Sequence, residues 1–384
     1  METDDGKKRK RVFFIDPMSM GNPARYDYWL LSAIANYDIT YFCSKFIDIS
    51  AHQHLTYRHV FRYNNLSNAT LKTLSYICSY ACILVYILVK RPDIIHVQWF
   101  KIPISDLVFY KVVKMLTHAK LIFTAHNVLP HNSGKRYAAS FKKIYHLFDR
   151  IIVHSKRTRH EMLGKFRLPS DHVVVIVHGI HPMHCDKCLY AQQEEELDKK
   201  YGLSGKFVFS SLGEQSPYKG IDMLARVWAE TEALRSDDNL HLIIAGKVKG
   251  LDLSMLEGIN NVTVVDKRIS DEEYFYLLIH SDVQLFPYRQ ISQSGALMIA
   301  LAHHIPVLVT DEGALTDALN VANVGWKIGS CTFQRLRDAL IAIAGDKQTA
   351  ARIKEDQQEW QKVEQAFDWH KISLETQALY DSLC

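Results

Sequence analysis

Short apolar runs recur along this chain, separated by longer stretches in which apolar positions repeat every three or four residues. In the first half the runs Val12–Ile15, Ile39–Phe42, Ile94–Val97, Leu121–Thr124, Ile151–His154 and Val173–Val177 predict strands. After residue 205 the pattern restarts with Phe207–Leu212, Leu240–Ala245, Val262–Val265, Val283–Phe286, Val307–Thr310 and Gly325–Ile328. Amphipathic stretches lie between the runs, among them Arg25–Ile34, Ser105–Leu116, Ala138–Phe148 and Asp222–Glu230, and these predict helices. Strands alternating with helices predict an α/β fold with parallel, doubly wound sheets. Two such series in one chain of 384 residues predict two Rossmann-like domains facing a cleft, with ligands beyond the carboxyl ends of the strands. The expected boundaries are an N-terminal domain at 1–185, a C-terminal domain at 186–365 and a closing helix at 366–384. At the junction of the first two, residues 185–205 are polar and read as a linker and a solvated helix.

One apolar stretch, Leu71 to Val89, approaches the length of a membrane span and is followed by Lys90-Arg91. Lys72, Ser75 and Ser79 lie in its first half, and Ile94–Val97 follows as the next strand of a βαβ unit. It is therefore expected as a largely buried or membrane-resting helix.

Charge changes the picture. Residues 1–180 carry 26 Lys and Arg against 12 Asp and Glu, a net of +14, and the remainder carries 20 against 30, a net of −10. A basic half joined to an acidic half predicts that the first half faces a polyanion, most simply an anionic membrane surface. Nucleic acid fits less well, because the basic residues are scattered along helices and not interleaved with aromatics on one module. Met1 to Arg11 is charged and lacks the apolar run of a secretory signal, and seven cysteines then point to a reducing, cytoplasmic compartment. The segment His178-Gly-Ile-His181-Pro-Met-His184-Cys185-Asp-Lys-Cys188 has zinc-ligand residue types. No second Cys-x-x-Cys closes a four-ligand site, so it is read as an interdomain loop and no metal is expected.

The candidate chemistry lies where strands end. Tyr288 to Leu308 reads as a polar loop, a helix start at Ser294-Gly295, and a buried strand from Pro306. A Ser-Gly pair leaves backbone N–H groups open at the positive end of a helix, which favours an anion such as a diphosphate. Earlier, Leu212-Gly213-Glu-Gln-Ser-Pro-Tyr-Lys219-Gly220 offers Lys219 after a Gly-bearing strand end, a compact charge suited to phosphate. Val264 to Ile269, with Arg268, ends another strand where a nucleobase could stack. In the first half, Gly21 and Asn22 follow the first strand, and Thr124-Ala-His126-Asn127-Val-Leu-Pro-His131 ends the strand at 121–124. His178-Gly179 ends a further strand of the same half. Histidines at such positions can position a hydroxyl, donate to a sugar or stabilise charge. Asp271-Glu272-Glu273 is expected as the acidic first turn of a helix.

In this order and spacing the motifs resemble the retaining, nucleotide-sugar-dependent glycosyltransferases of family four, with the GT-B architecture. The residues that carry the likeness are the Gly21 loop, Thr124-Ala-His126-Asn127, His178-Gly179, Gly213 to Asp222, Leu242 to Gly246, and Ser294-Gly295 with Pro306-Val307. The tail from Phe367 to Tyr380 is similar to the family's closing helix, which packs back on the first domain. The resemblance implies that Lys219 and the Ser294-Gly295 amides hold the donor diphosphate, with Gly213 and Arg268 in the donor site. It places His126 against the transferred sugar as the catalytic residue and Gly21 at the border of the reaction centre. Asn22, Asn127, His131 and His178 fall on the acceptor side. Two glutamates of the family, eight positions apart, are replaced by Ile291 and Ile299. The implied activity is transfer of a hexose, with retention, from a UDP- or GDP-sugar to a saccharide on a polyprenyl diphosphate. No cofactor or metal is needed, and the enzyme would be peripheral on the inner face of the cytoplasmic membrane. The alternatives are a catalytically silent GT-B partner subunit and a sugar-nucleotide epimerase.

Overall fold

The computed structural model describes residues 9–44, 55–129, 134–183 and 185–384. They form two compact units, Met1–Gly179 with Trp369–Cys384, and Ile180–Asp368.

Unit 1 is a seven-stranded parallel sheet in the order β3-β2-β1-β4-β5-β6-β7. Its strands are β1 (Arg11–Ile15), β2 (Asp38–Cys43), β3 (Leu55–His59), β4 (Ile94–Val97), β5 (Lys120–Thr124), β6 (Arg150–Val153) and β7 (Val173–Val175). Its helices are α1 (Asn22–Ala33), α2 (Ala69–Lys90), α3 (Pro103–Leu116), α4 (Gly134–Leu147) and α5 (Lys156–Phe166). Alternation along each strand sends successive side chains to opposite faces. Phe13, Ile15, Ile95, Val97, Leu121 and Phe123 therefore join a core with Tyr80 of α2, Phe109 of α3 and Phe141 of α4. Val12, Phe14, Ile94 and Ile122 face the other way, against Tyr26 and Leu30 of α1 and against Trp369, Ile372 and Tyr380 of the last helix.

Helix α2 begins at Asn68, whose side chain accepts from the N–H groups of Thr70 and Leu71, and ends at Arg91 in the left-handed region. It is not largely buried. The helix is long and apolar enough to cross a membrane, yet only 28% of its most apolar window is covered by the rest of the protein. One stripe (Tyr76, Tyr80, Ile83, Ile87) packs on the sheet, while Leu74, Val85 and Val89 on the outer side are exposed. An all-round apolar composition hides which stripe faces the core, so sequence periodicity did not separate burial from exposure.

Unit 2 is a six-stranded parallel sheet in the order β10-β9-β8-β11-β12-β13. Its strands are β8 (Phe207–Leu212), β9 (Leu240–Ala245), β10 (Val262–Val265), β11 (Val283–Phe286), β12 (Val307–Thr310) and β13 (Gly325–Ile328). Its helices are α6 (Lys187–Tyr201), α7 (Ile221–Glu230), α8 (Glu232–Arg235), α9 (Asp271–Ile279), α10 (Gly295–Ala302), α11 (Asp317–Val321), α12 (Phe333–Gly345), α13 (Lys347–Glu355) and α14 (Gln357–Ala366). The polar stretch expected as a linker is α6, docked on this unit. It buries Leu197 and Tyr201, Tyr276 of α9 donates to Asp198 at 2.7 Å, and Tyr201 donates to Glu273 at 2.6 Å. The last helix, α15 (Trp369–Asp381), returns to unit 1 and packs on α1.

Both sheets reverse strand order at one point, between β1 and β4 in unit 1 and between β8 and β11 in unit 2. Loops on the two sides of such a reversal splay apart and leave a crevice at the carboxyl ends of the strands.

Candidate active site

In unit 2 the two motifs expected from the sequence to bind an anion occupy the two sides of that crevice. Gly213 and Lys219 lie on the loop after β8, and Tyr288 to Ser294 on the loop after β11. Buried Gln215 shapes the first loop, its amide donating to the carbonyls of Ser211 and Gly213, both at 2.9 Å. Lys219 closes a short 3-10 turn, Pro217–Lys219, and Gly220 follows with φ +72°. A Cβ at Gly220 would come within 2.0 Å of the Pro287 carbonyl oxygen, so only glycine lets the two loops meet.

Arg289 fastens them. Its guanidinium donates to both carboxylate oxygens of Asp222, at 2.8 and 2.7 Å, and to the Pro217 carbonyl at 3.1 Å. Its backbone N–H donates to Tyr218 O at 2.8 Å. Lys219 is thereby held with its ammonium 5.7 Å from the centre of the Tyr288 ring. The hydroxyl of that same tyrosine lies 3.5 Å from Ser294 Oγ.

Lys219 is half-buried, and among the described residues no carboxylate lies within ion-pair distance of it. Glu214, which acts on it from farther away, is engaged by Lys249 at 2.6 Å. Burial pulls the Lys219 amine below the usual lysine range, because removing an ammonium from water without a counterion disfavours the charge. An arriving anion would reverse that. Ser294 is the N-cap of α10, its Oγ accepting from Leu297 N–H at 3.3 Å, while Met298 N–H takes the Ser294 carbonyl. The N–H groups of Gly295 and Ala296 are left without an acceptor among the described residues. Ile299 is 2% exposed, inside the core, and the Ile291 carbonyl backs onto Gly313. Arg268 is exposed on the loop after β10, and no hydrogen bond or ion pair among the described residues joins it to this group.

Unit 1 gathers histidines at the ends of β4, β5 and β6. His126 Nε2 lies 2.9 Å from Gln98 Oε1, and its Nδ1 lies 3.3 Å from His154 Nε2. Trp99 stacks on the His126 ring at 4.9 Å and 9°, and Tyr26 meets it edge-on at 4.8 Å. Burial, reinforced by His154, His178 and His96, holds His126 well below the usual histidine range. Burial also brings His154 down to about 4 and His96 to about 3, so all three rings are neutral at pH 7.

Neutrality fixes the direction of the hydrogen bonds. His154 Nδ1–H donates to Ile176 O at 2.9 Å, so its Nε2 accepts from His126 Nδ1–H. His126 Nε2 then carries a lone pair, and the Gln98 amide satisfies it when its NH2 is the end turned toward the ring. The amide oxygen then faces Thr124 and His96. His96 Nδ1 accepts from the Tyr380 hydroxyl at 2.6 Å, which ties α15 to the same chain of bonds.

Asn127 is half-buried, and its Oδ1 has no partner among the described residues. His178 is buried, its ring against Tyr26 and Trp369 and its Nδ1 2.8 Å from Gly179 O. Gly21 is the N-cap of α1 with φ +63° and ψ −133°, a conformation open essentially to glycine alone. The loop leading to it is pinned where Tyr63 donates to Pro17 O and Ser44 N–H to Ser19 Oγ, both at 2.7 Å. The Asn22 backbone opens α1, while its side chain and all of His131 lie outside the described residues.

Gln98, Trp99, His154, Gln215 and Arg289 were not singled out in the sequence. Gln98 and Trp99 directly follow the run Ile94–Val97, so the rule that selected His126 also reaches them. The partners of Arg289 are 67 and 72 residues away, and no local pattern signals them.

Comparison with known families decides the identity. The model described as Glycosyltransferase Family 4 matches residues 31–183, and that described as Glycosyl transferases group 1 matches residues 206–346. The chain belongs to the family-four type of GT-B glycosyltransferases. Gly213, Lys219, Arg268 and Ser294 of this glycosyltransferase lie inside the second match, whereas Gly21 precedes the first. No curated protein matches the chain. Its fold is similar to that of sucrose-phosphate synthase from Thermosynechococcus elongatus, with a TM-score of 0.72 at 15% identity over 98% of this chain and 99% of that one. HepE from Anabaena, solved in complex with UDP-glucose, gives 0.71 at 15% identity over 97% and 99%. A glycosyltransferase from Rickettsia africae gives 0.69 at 15% identity over 98% and 99%. At these identities the likeness is one of fold.

Proposed function

We propose that this glycosyltransferase moves a hexose from a UDP- or GDP-sugar to a hydroxyl of a saccharide carried on a polyprenyl diphosphate, with retention. The observation that carries this is the half-buried Lys219 ammonium, without a counterion among the described residues and linked through Tyr288 to the open N-terminus of α10. A diphosphate supplies the charge both elements lack. As the glycosidic bond breaks, negative charge gathers on the leaving diphosphate, and fixed N–H dipoles and Lys219 stabilise it most where it develops. Lys219 and a helix terminus can do this without a metal. The complex of HepE with UDP-glucose supports a UDP-sugar as donor by fold analogy.

None of the sequence motifs assigned to the site offers a carboxylate as nucleophile, so the proposed step is a front-face substitution assisted by the leaving phosphate and not a covalent glycosyl-enzyme. His126, neutral and braced by Trp99 and Gln98, contacts the transferring sugar and does not act as a general acid. A lipid-borne acceptor and a strongly basic first half fit a peripheral enzyme on the inner face of the cytoplasmic membrane. The test is turnover. Purified protein is incubated with a panel of UDP- and GDP-hexoses and polyprenyl-linked saccharides, and free nucleoside diphosphate and product anomer are measured.

Ile291 and Ile299, in place of two family glutamates, favour a second reading, a GT-B subunit that binds donor without turning it over. Tight donor binding with no release of nucleoside diphosphate under any acceptor would select it. Epimerised sugar nucleotide in the absence of acceptor would select an epimerase instead.

A further inference from the structure

Helices α2, α3 and α4 lie side by side on one face of the unit 1 sheet, and their outer surfaces are unlike those of ordinary covering helices. On α2 the outward positions Leu74, Ile77, Val85 and Val89 follow helical spacing, opposite the stripe that packs on the core. Val85 is 61% exposed and Val89 72%. On α3 the outward line continues through Val108, Lys111 and Met115, with Met115 82% exposed. On α4 the corresponding line is basic, with Arg136, Lys142 and Lys143 exposed. The three helices carry eight Lys and Arg and a single acidic residue, Asp106. Asp106 is buried and takes hydrogen bonds from Tyr76 and the Ile102 N–H. The layer therefore presents an apolar ridge beside a basic one, with no exposed carboxylate on the three helices.

Resting on a surface and spanning a membrane are distinguishable for α2. Its inner stripe is locked to the sheet by Tyr76, Tyr80, Ile83 and Ile87, and the Ser79 hydroxyl bonds the Val60 carbonyl at 2.8 Å. A helix so attached cannot leave for the bilayer interior without exposing that core. It can lie in the interface with its outer stripe among acyl chains, as amphipathic interfacial helices do. We infer that the outer face of α2 and α3, flanked by the lysines of α4, is the surface by which this enzyme rests on an anionic lipid bilayer. Apolar side chains supply insertion, and the lysines supply attraction to anionic headgroups over about one Debye length. The inference rests on the proposal of a membrane-borne acceptor and names the surface that would reach it.

The experiment is co-sedimentation of the purified full chain with vesicles of phosphatidylcholine alone or mixed with phosphatidylglycerol. The wild type is expected to partition to the phosphatidylglycerol vesicles and to be released in part by 0.5 M salt. Val85→Glu with Val108→Glu should lower the partition coefficient at least tenfold. Lys142→Ala with Lys143→Ala should lower it about fivefold per lysine in low salt. UDP affinity of each variant, measured calorimetrically, should equal that of the wild type. A thermal melt matching that of the wild type shows that unit 1 is folded in the variants, and the unchanged UDP affinity keeps the lipid result separate from the donor-site result. Equal partition of wild type and Val85→Glu/Val108→Glu overturns the inference, as does no binding to either vesicle. A concentration-dependent dimer in sedimentation velocity that the same substitutions dissolve would assign the face to a second copy of the chain, and would also overturn it.

Discussion

Arg289 grips Asp222 through two parallel bonds of 2.8 and 2.7 Å, and with its bonds to the Pro217 and Tyr218 carbonyls this pair holds the loop after β11 against the turn that carries Lys219. Both partners are partly exposed, so the pair adds little to stability, on the order of 1 kcal/mol or less. Its effect is geometric. Arg289→Lys keeps the charge but loses the fork, and UDP affinity should fall roughly fivefold to tenfold while the melting temperature changes by about 2 °C or less. Calorimetric titration and a thermal melt of the same sample check both halves of the expectation.

Gly21 tests a different kind of constraint. Nothing lies within 4 Å of a Cβ built there, so a methyl group would fit, but φ +63° with ψ −133° is a conformation L-residues avoid. Gly21→Ala should destabilise unit 1 by about 1–3 kcal/mol, or else shift the loop and weaken turnover. Urea denaturation and initial rates measured together read both effects, and a fully wild-type variant would contradict the assigned backbone.

The neutral His126 makes a prediction about pH. Burial, reinforced by the neighbouring histidines, holds its proton affinity well below the usual histidine range, so the ring is neutral at pH 7. The profile of kcat/KM should carry no ionisation near 6.5 attributable to it, and His126→Gln should lower kcat by roughly a hundredfold without altering the profile's shape. A limb near pH 6.5 that disappears in His126→Gln would show the ring acting as an acid or base.

Asp106 gives the opposite sign. Burial raises its carboxyl to about 7, well above its value in an unfolded chain. The folded state therefore holds a proton that the unfolded state has released. Its stabilising contribution is complete below about pH 4 and is lost as pH rises through about 7, at up to roughly 1.4 kcal/mol per pH unit. Asp106→Asn should remove that slope. Comparing denaturation midpoints of the two proteins between pH 5 and 8 isolates this group from the buried histidines, whose contribution runs the other way.

Much of the fold was legible because parallel strands buried on both faces are continuous apolar runs. All six strands of unit 2 match the apolar runs of the sequence end to end. The miss, β3, is Leu55-Thr-Tyr-Arg-His59, a partly exposed edge strand whose residues neither alternate cleanly nor form a run. Lys219 and Ser294 were legible as separate loop features. What joins them was not, since the Arg289 clasp and the Tyr288 ring link residues far apart in sequence, and register at that range follows from tertiary packing. The same holds for His154, which looked like the end of a strand until β6 stopped at Val153 and turned the ring toward His126.

If Lys219 and the α10 amides together hold a pyrophosphate, calorimetric titration of UDP into wild type and Lys219→Ala reads that grip. Removing the ammonium should weaken UDP roughly tenfold to a hundredfold while leaving uridine, which has no phosphate, unaffected. Equal UDP affinity in the two proteins would show that Lys219 does not hold the diphosphate.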